Sequence, residues 1–462
     1  MNKKGFTLVE LLAVIAILAI LVIIALPNVL KMYNDSKKNA FMTDAQNLAK
    51  EVSSKYISES MKGNKVTVIS NKHNPLDMTG RELDYNIEID SQGKIKNQIV
   101  SNGTYCISTN KDYTKITRDD ISDKCSYEKL HNIVGTLKNK FYEESGRTDR
   151  SLVSSIVFYS DGRTVSGAES YDVSEKKDGS IKMYVSQNSE NTSLLDLTIV
   201  ANGKIAFPED SSSLFAFYQY YGCSYYGANL QNLQFNNSVS TFNVTNMKNM
   251  FERSKAPTLD LSSFDTSNVT NMSWMFHNSD ATEIKGLNKF NTSKVTNMSW
   301  MFSVSKVTTL DLSSFDTSNV TNMSEMFYYS KATTLDLSSF DTSKVTDMYE
   351  MFEGSYATTL DLSSFDTSNV TDMHSMFYNS DAAEIKGLNK FNTSKVTDMS
   401  WMFYNSKATT LDLSSFDTSN VTNMSWMFKN AKATTGYART QSDADKFNNS
   451  SNKPSSLTFV VK

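Results

Sequence analysis

Residues 309–330 read TLDLSSFDTSNVTNMSEMFYYS. The segment carries two patterns in succession. Leu310 and Leu312 alternate with Thr309, Asp311 and Ser313, the period of a strand with one face buried. Phe315 follows as an inward corner. Val320, Met323, Met326 and Phe327 then recur at three- to four-residue steps, which share one face of a short helix. Asp316-Thr317-Ser318 lies between them, and Thr317 or Ser318 can cap that helix.

The same text recurs from residue 241 to residue 432. The second Met of each unit falls at Met250, Met275, Met301, Met326, Met351, Met376, Met402 and Met427, at steps of 25 or 26 residues. Two units carry EIKGLNKFNTS in place of LDLSSFDTS, and they supply the 26-residue steps. Eight units with two Met each use 16 of the chain's 22 Met, so the Met excess is repeat packing and no metal site. A period this regular predicts a stacked repeat array, with strands paired in parallel on one side and helices on the other.

The unit FDTSNVTNMSWMF resembles the BspA-type leucine-rich repeats of bacterial surface proteins. Ahead of it, YDVSEKKDGSIKMYV and LTIVANGKIAFPEDSSSLFAFY resemble that family's leading module and predict strands joined at Lys177-Asp178-Gly179 and Asn202-Gly203. The resemblance implies a surface-exposed protein that binds a host or surface protein or a glycan, without naming the ligand.

The N-terminus has its own signature. After MNKKG, residues 6–26 are apolar, FTLVELLAVIAILAILVIIAL, about 31 Å as a helix and enough to cross a bilayer. Glu10 interrupts this run, and an ionised carboxylate there costs on the order of 3 kcal/mol unless it is paired. The stretch KKGFTLVELLAVIAILAILVIIALP resembles the type IV prepilin family. That resemblance implies a prepilin peptidase that cuts between Gly5 and Phe6 and methylates the Phe6 amine. It also implies a filament in which Glu10 meets the N-terminal amine of a neighbouring subunit. Apolar residues continue from Val29 through Tyr33, Phe41, Ala45, Leu48, Val52 and Tyr56, with Gly63 as a stop. Short alternating runs between residues 65 and 108 predict a small antiparallel sheet over that face, similar to the pilin fold. Cys106 and Cys125 are a disulfide pair in this reading; Cys223 is a buried small side chain.

Composition removes other classes. Net charge is −4, and only four His and three Cys are present, which excludes a basic nucleic-acid binder and a zinc cluster. The repeats carry 15 Lys and Arg against 21 Asp and Glu, which argues against phosphate binding. No catalytic motif occurs, and no unit breaks the repeat with a cluster of titratable groups, so no enzyme and no cofactor are expected. Two ladders run along the repeats. Asp260, Lys285, Asp311, Asp336, Asp361, Lys386 and Asp412 form a solvated row, with cation binding as the alternative. The residue between the two Met reads Asn249, Trp274, Trp300, Glu325, Glu350, Ser375, Trp401, Trp426. Because Glu and Ser are accepted there, the position should face solvent. Its four Trp, extended by Tyr328, Tyr329, Tyr378 and Tyr404, either form a binding surface or fold down over the seams between repeats.

The expected fold is α+β: a long N-terminal pilin helix with a small antiparallel sheet, a β cap, then an α/β leucine-rich-repeat-like solenoid. Its segments are a leader (1–5), a membrane or filament helix (6–63), a pilin globular domain (64–130), a linker (131–150), a cap (151–240), repeats (241–432) and a tail (433–462). The expected function is a non-enzymatic minor or tip pilin in the cell membrane or a surface pilus, touching membrane lipid, prepilin peptidase and other subunits. Two alternatives stand beside it. One is a pseudopilin of type II secretion or DNA uptake, and the other a membrane-retained surface protein with the repeats as a spacer.

Overall fold

The computed structural model describes residues 8–64, 83–90, 92–101, 105–109, 115–122, 133–147, 149–217, 219–221, 224–226 and 229–462, with 66, 68–70 and 76 besides. In the N-terminal helix, side chains are described from Asp35 onward. Gly5, Phe6, Cys125 and Cys223 therefore lie outside the described residues, as does the side chain of Glu10. The chain divides into two compact units, residues 1–133 and 134–462.

In the first unit, helix α1 (Leu8–Met61) accompanies an antiparallel sheet. The sheet is β1 (Val68–Ser70), β2 (Asp84–Ile89), β3 (Ile95–Ser101), β4 (Cys106–Thr109) and β5 (Ile121–Ser122), in that order. Phe41, Ala45, Leu48, Ala49 and Val52 fall on one helical face and are buried with Ile69, Tyr85, Ile87, Val100 and Ile107 of the strands. Each large apolar side chain so buried contributes about 1.5–3 kcal/mol. The β2–β3 turn is made by the Asp90 carboxylate, which accepts the N–H groups of Gln92 and Lys94, both at 2.9 Å. Cys106 is disulfide-bonded.

The second unit opens with β6 (Ile133–Thr136), β7 (Val153–Tyr159), β8 (Glu169–Asp172), β9 (Ile181–Gln187), β10 (Leu195–Ala201) and β11 (Lys204–Ala206). A hairpin of β12 (Gln219–Tyr221) and β13 (Ser224–Tyr226) follows, then β14 (Asn232–Gln234) and β15 (Val239–Ser240). A five-stranded sheet has the order β14-β7-β10-β9-β8, and a smaller one the order β15-β11-β6. Residues 210–217 then act as a truncated first repeat. Ser213 and Phe215 donate their N–H groups to the carbonyls of Lys248 and Met250, at 2.9 and 3.1 Å.

The repeats differ from the expected form. Val320, Met323, Met326 and Phe327 are fully buried, yet they lie on no helix. Alternate N–H groups leave the repeat: Met323, Glu325, Phe327 and Tyr329 donate to Asp347, Tyr349, Met351 and Glu353 of the next one, at 2.7–3.2 Å. Those between them close three-residue turns, with Met326, Tyr328 and Ser330 donating to Met323, Glu325 and Phe327 at 3.1–3.3 Å. An α-helix would direct all of these bonds inside the segment, four residues back. The α+β class expected above, with its α/β leucine-rich-repeat-like solenoid, is thus overturned. Among the described residues there are two α-helices, neither in the repeats, and the remainder is small sheets and turns.

Thr317 is no helix cap either. It is fully buried and donates its hydroxyl to the Asp341 carbonyl of the following repeat at 2.8 Å. The inward Leu310 and Leu312 and outward Thr309, Asp311 and Ser313 are as the alternation predicts. The strands themselves are short, with Thr258–Asp260 pairing Glu283–Lys285, and Thr359–Asp361 pairing Glu384–Lys386, in parallel. A column of Phe rings runs from Phe215 through Phe251, Phe276, Phe302, Phe327, Phe352, Phe377 and Phe403 to Phe428. Successive centroids are 5.4–6.0 Å apart and planes lie within 10°. Helix α2 (Gln441–Asn448) follows the last repeat, where Phe447 meets Phe428 edge-on at 5.7 Å. Asp443 there accepts the Thr418 hydroxyl at 2.6 Å, taking the place of the next repeat's carbonyl.

The two 26-residue units fit their extra residue through Gly286 and Gly387, at φ +87° and +86°. A Cβ on Gly286 would sit 2.6 Å from the backbone of Ser262 in the previous repeat. Both the conformation and the contact require glycine. Gly286→Ala should lower the unfolding free energy by about 2–4 kcal/mol, from left-handed strain plus the clash. Thermal or urea denaturation reads it, and an unchanged midpoint would contradict this placement.

Candidate functional site

The residue between the two Met is left-handed in every repeat. Its φ is 59° at Asn249, 61° at Trp274, 59° at Trp300, 55° at Glu325, 51° at Glu350, 54° at Ser375, and 62° at Trp401 and Trp426. Four residues on, the backbone is left-handed again, at Arg253, Asn278, Val304, Tyr329, Gly354, Asn379, Asn405 and Asn430. A non-glycine residue pays about 1–2 kcal/mol for this conformation. The cross-repeat bonds offset it, as where Trp274 and Trp300 donate to the carbonyls of Ser299 and Ser324 at 2.9 and 3.0 Å.

This register does not simply face solvent. Glu325 and Ser375 are only 5% and 4% exposed, and the four Trp are half-buried. The Trp rings lie on one another. Trp274 and Trp300 stack at 4.2 Å and 9°, with the His277 ring edge-on to both at 4.6 and 5.4 Å. Burial and the Arg253 charge hold His277 down at about 4, so it is neutral at physiological pH. Trp401 and Trp426 stack at 5.1 Å, and Lys429 places its ammonium 3.5 Å from the Trp426 ring centroid. Tyr404 joins Trp401 at 5.1 Å and stacks on Tyr378 at 4.8 Å, while Tyr328 meets Trp300 at 5.7 Å and Tyr329 at 4.7 Å. The Trp and Tyr named from sequence thus collect into two half-buried aromatic groups, one towards each end of the repeats.

Between them lies a feature the sequence reading passed over. Glu325, Glu350, Glu353 and Asp347 come together, and so break the repeat with a cluster of titratable groups. Burial, then the charges of Glu350, Glu353 and Asp347, push the Glu325 carboxyl up to about 8. Burial and Glu350 push Glu353 up to about 8 as well. Burial also raises Asp347. Tyr328 is pushed up to about 12 by burial and by the Glu353 and Glu350 charges, and Tyr349, which hydrogen-bonds Glu350, is raised too. The signal was legible: Glu325 and Glu350 are 25 residues apart, so they share a register, and Glu353 follows three residues later.

The Asp row on the strand side has a different cause. Asp260, Asp311, Asp336 and Asp361 are each held below the usual carboxylate range by the hydroxyl of the Ser two residues on and then by its N–H, which donates at 3.0–3.2 Å. These residues make turns, and Lys285 and Lys386 pair beside Asp260 and Asp361. Among the described residues no group of three or more His, Cys, Asp or Glu is arranged to hold a metal ion. Nor, among them, is any helix long and apolar enough to cross a membrane.

A carboxyl that titrates near 4.5 unfolded and about 8 folded makes the folded state bind more protons between those values. Its stabilising effect is complete below about pH 4.5 and is lost as pH rises towards 8. Melting temperature should therefore fall between about pH 5 and 8, and Glu325→Gln with Glu353→Gln should flatten that fall. A wild-type midpoint that stays level across the window would contradict the burial of these two groups.

Comparison with known families gives two matches. The prokaryotic N-terminal methylation motif matches residues 1–26. It is the motif of type IV pilin-like surface proteins, which a prepilin peptidase processes and which assemble with other pilin subunits. The family described as Mycoplasma protein of unknown function, DUF285, matches residues 226–303, 274–387 and 357–459. The leucine-rich-repeat resemblance is not supported by either match. No curated protein and no solved structure matches the chain. Since the three overlapping matches together span about half of its length, the chain belongs to the DUF285 family, and it carries a prokaryotic N-terminal methylation motif at its start.

Proposed function

We propose that this chain is a minor or tip subunit of a type IV pilus or related filament, and that its repeats are an adhesive surface for a protein or glycan. The observation that carries the reading is the methylation motif at residues 1–26, joined in one chain to repeats that gather aromatic side chains on one register. Cleavage after Gly5 would free the Phe6 amine for methylation, and Glu10 would then pair with such an amine in the filament core, where an unpaired carboxylate is costly. The bulk of the 134–462 unit disfavours close packing of many copies, which is why a minor or tip position is assigned. Before assembly the apolar residues 6–26 would hold the chain in the cell membrane.

The aromatic register is the adhesive part of this reading. Stacked Trp and Tyr offer large, rigid apolar area at low entropic cost, the chemistry of interface hot spots. The Trp274–Trp300 stack also contributes about 1 kcal/mol to stability, so its removal is felt by the fold as well.

Cells that make the Trp274→Ser, Trp300→Ser double variant should keep the chain in sheared surface filaments. Their adhesion should drop by at least about tenfold, the scale of an aromatic hot spot. In the same preparation, intact mass spectrometry should show the wild-type chain starting at a methylated Phe6. A chain that retains residues 1–5, or is absent from filaments, contradicts the pilin reading. Unchanged adhesion by the double variant contradicts the adhesive one.

A further inference from the structure

On the strand side, the repeats are joined by bonds that reach back one repeat, and the seam between the cap and the first repeat lacks two of them. Thr282, Thr333, Thr358, Ala383, Thr409 and Thr434 each donate the backbone N–H to a carbonyl one repeat earlier, at 2.9–3.3 Å. Pro257 holds that position in the first repeat and has no N–H to give. Further along the same turn, the hydroxyls of Ser314, Ser364 and Ser415 donate to the carbonyls of Leu287, Leu337 and Leu388 one repeat back, at 3.1–3.2 Å. Ser263 is their counterpart, and among the described residues its hydroxyl has no partner. The strands that flank this seam do not pair with each other: Thr258–Asp260 pairs with Glu283–Lys285, and β14 pairs with β7.

The seam opens there into a cleft of about 630 Å³, within the range of about 300–1,000 Å³ that suits a small ligand. Gln231, Asn232 and Gln234 line it from the cap, and Thr258, Asp260 and Ser263 from the first repeat. Buried Leu233 and Phe235, with exposed Pro257, give it an apolar part. The amide row is held in place. Asn232 donates its amide to Ser155 Oγ and accepts that of Gln234, both at 2.9 Å. The Gln231 amide has no partner among the described residues. Among them, no Lys, Arg or His lines the cleft.

We propose that this cleft binds a neutral sugar residue of a glycan, whose hydroxyls bridge from Asp260 and Ser263 to Gln231 and Gln234. Each sugar hydroxyl donates one hydrogen bond and accepts others. Amides and a serine hydroxyl can answer both, and a carboxylate accepts. The C–H face of the ring suits Pro257 and the apolar part of the wall. A phosphate or an acidic sugar fits less well, because no cation stands in the lining to pair with it. An added peptide strand fits less well too, because Pro257 interrupts the edge whose N–H groups such a strand needs. The inference rests on the adhesive reading above and names its ligand class, at a site that none of the Trp lines.

The test is binding of the fluorescently labelled full chain, in detergent micelles, to an array of neutral, sialylated and sulfated glycans that also carries an unglycosylated Thr-Val repeat peptide. Neutral glycans should bind, and the charged glycans and the peptide should not. Pro257→Thr restores the residue type of the sister repeats and closes the seam, so glycan binding should fall at least about tenfold while the melting temperature holds or rises. Gln231→Ala and Ser263→Ala should each weaken binding about three- to tenfold, and they carry the test if the Pro257 change disturbs the fold. No binding to neutral glycans, a preference for charged ones, capture of the peptide in their place, or equal binding by wild type and all three variants would overturn the proposal. If neutral glycans fail to bind while the Trp274, Trp300 double variant loses adhesion, this inference falls and the adhesive reading stands. If the glycans bind through the cleft while that double variant adheres as before, the cleft stands and adhesion through the Trp register falls.

Discussion

One repeat of this protein cannot satisfy its own backbone. In the Met-x-x-Met-Phe segment, alternate N–H groups point out of the turn and are met only by carbonyls of the following repeat, as with Glu325 to Tyr349 at 2.8 Å. A buried amide left unpaired costs about 1–3 kcal/mol, so repeats are stable only as neighbours. The ends confirm the demand. Residues 210–217 supply a partial repeat at one end, and Asp443 accepts the Thr418 hydroxyl at the other. The Phe column and the buried Met then fill the space that this ladder encloses.

The same ladder sets the functional face. To send alternate amides across the seam, the chain turns left-handed between the two Met and again four residues later. The first of these positions fixes a residue at the same height in each repeat, one repeat spacing from the next. Flat rings placed there stack, which gives the Trp274–Trp300 and Trp401–Trp426 pairs. Carboxyls placed there crowd: burial and then the Glu350 charge raise Glu325 on this register and Glu353 three residues after Glu350. One backbone device thus places the Trp pairs and the Glu325 and Glu350 carboxyls on a common register.

Much of this was legible in the sequence, though not the conformation. The 25-residue period, the burial of Val320, Met323, Met326 and Phe327, and the inward Leu310 and Leu312 follow directly from spacing and polarity. Helix was the wrong conclusion because steps of three and four are shared by a helical face and by successive three-residue turns with cross-repeat bonds. A finer sign was present: Asn278, Gly354, Asn379, Asn405 and Asn430 occupy one register, and Asn and Gly are the residues that tolerate left-handed backbone. The carboxyl cluster was missed for a related reason. Glu at a repeat position suggests solvent, whereas the turn buries Glu325 to 5% exposure. No spacing rule on the chain foretells that, since it depends on which side chains flank the site one repeat away.

Ser375 offers the most direct test, because it is small, 4% exposed and left-handed at φ 54°. Glycine and alanine at this position respond in opposite order to the two conformations. In a left-handed turn Ser375→Gly should melt higher than Ser375→Ala, by the equivalent of about 1 kcal/mol, since alanine pays the steric cost that glycine avoids. In a helix the order reverses by a similar amount, because glycine then pays about 1 kcal/mol of backbone entropy. The account predicts that the glycine variant is the more stable of the two in thermal denaturation of the full chain. A more stable alanine variant would contradict the cross-repeat turn on which the whole face is built.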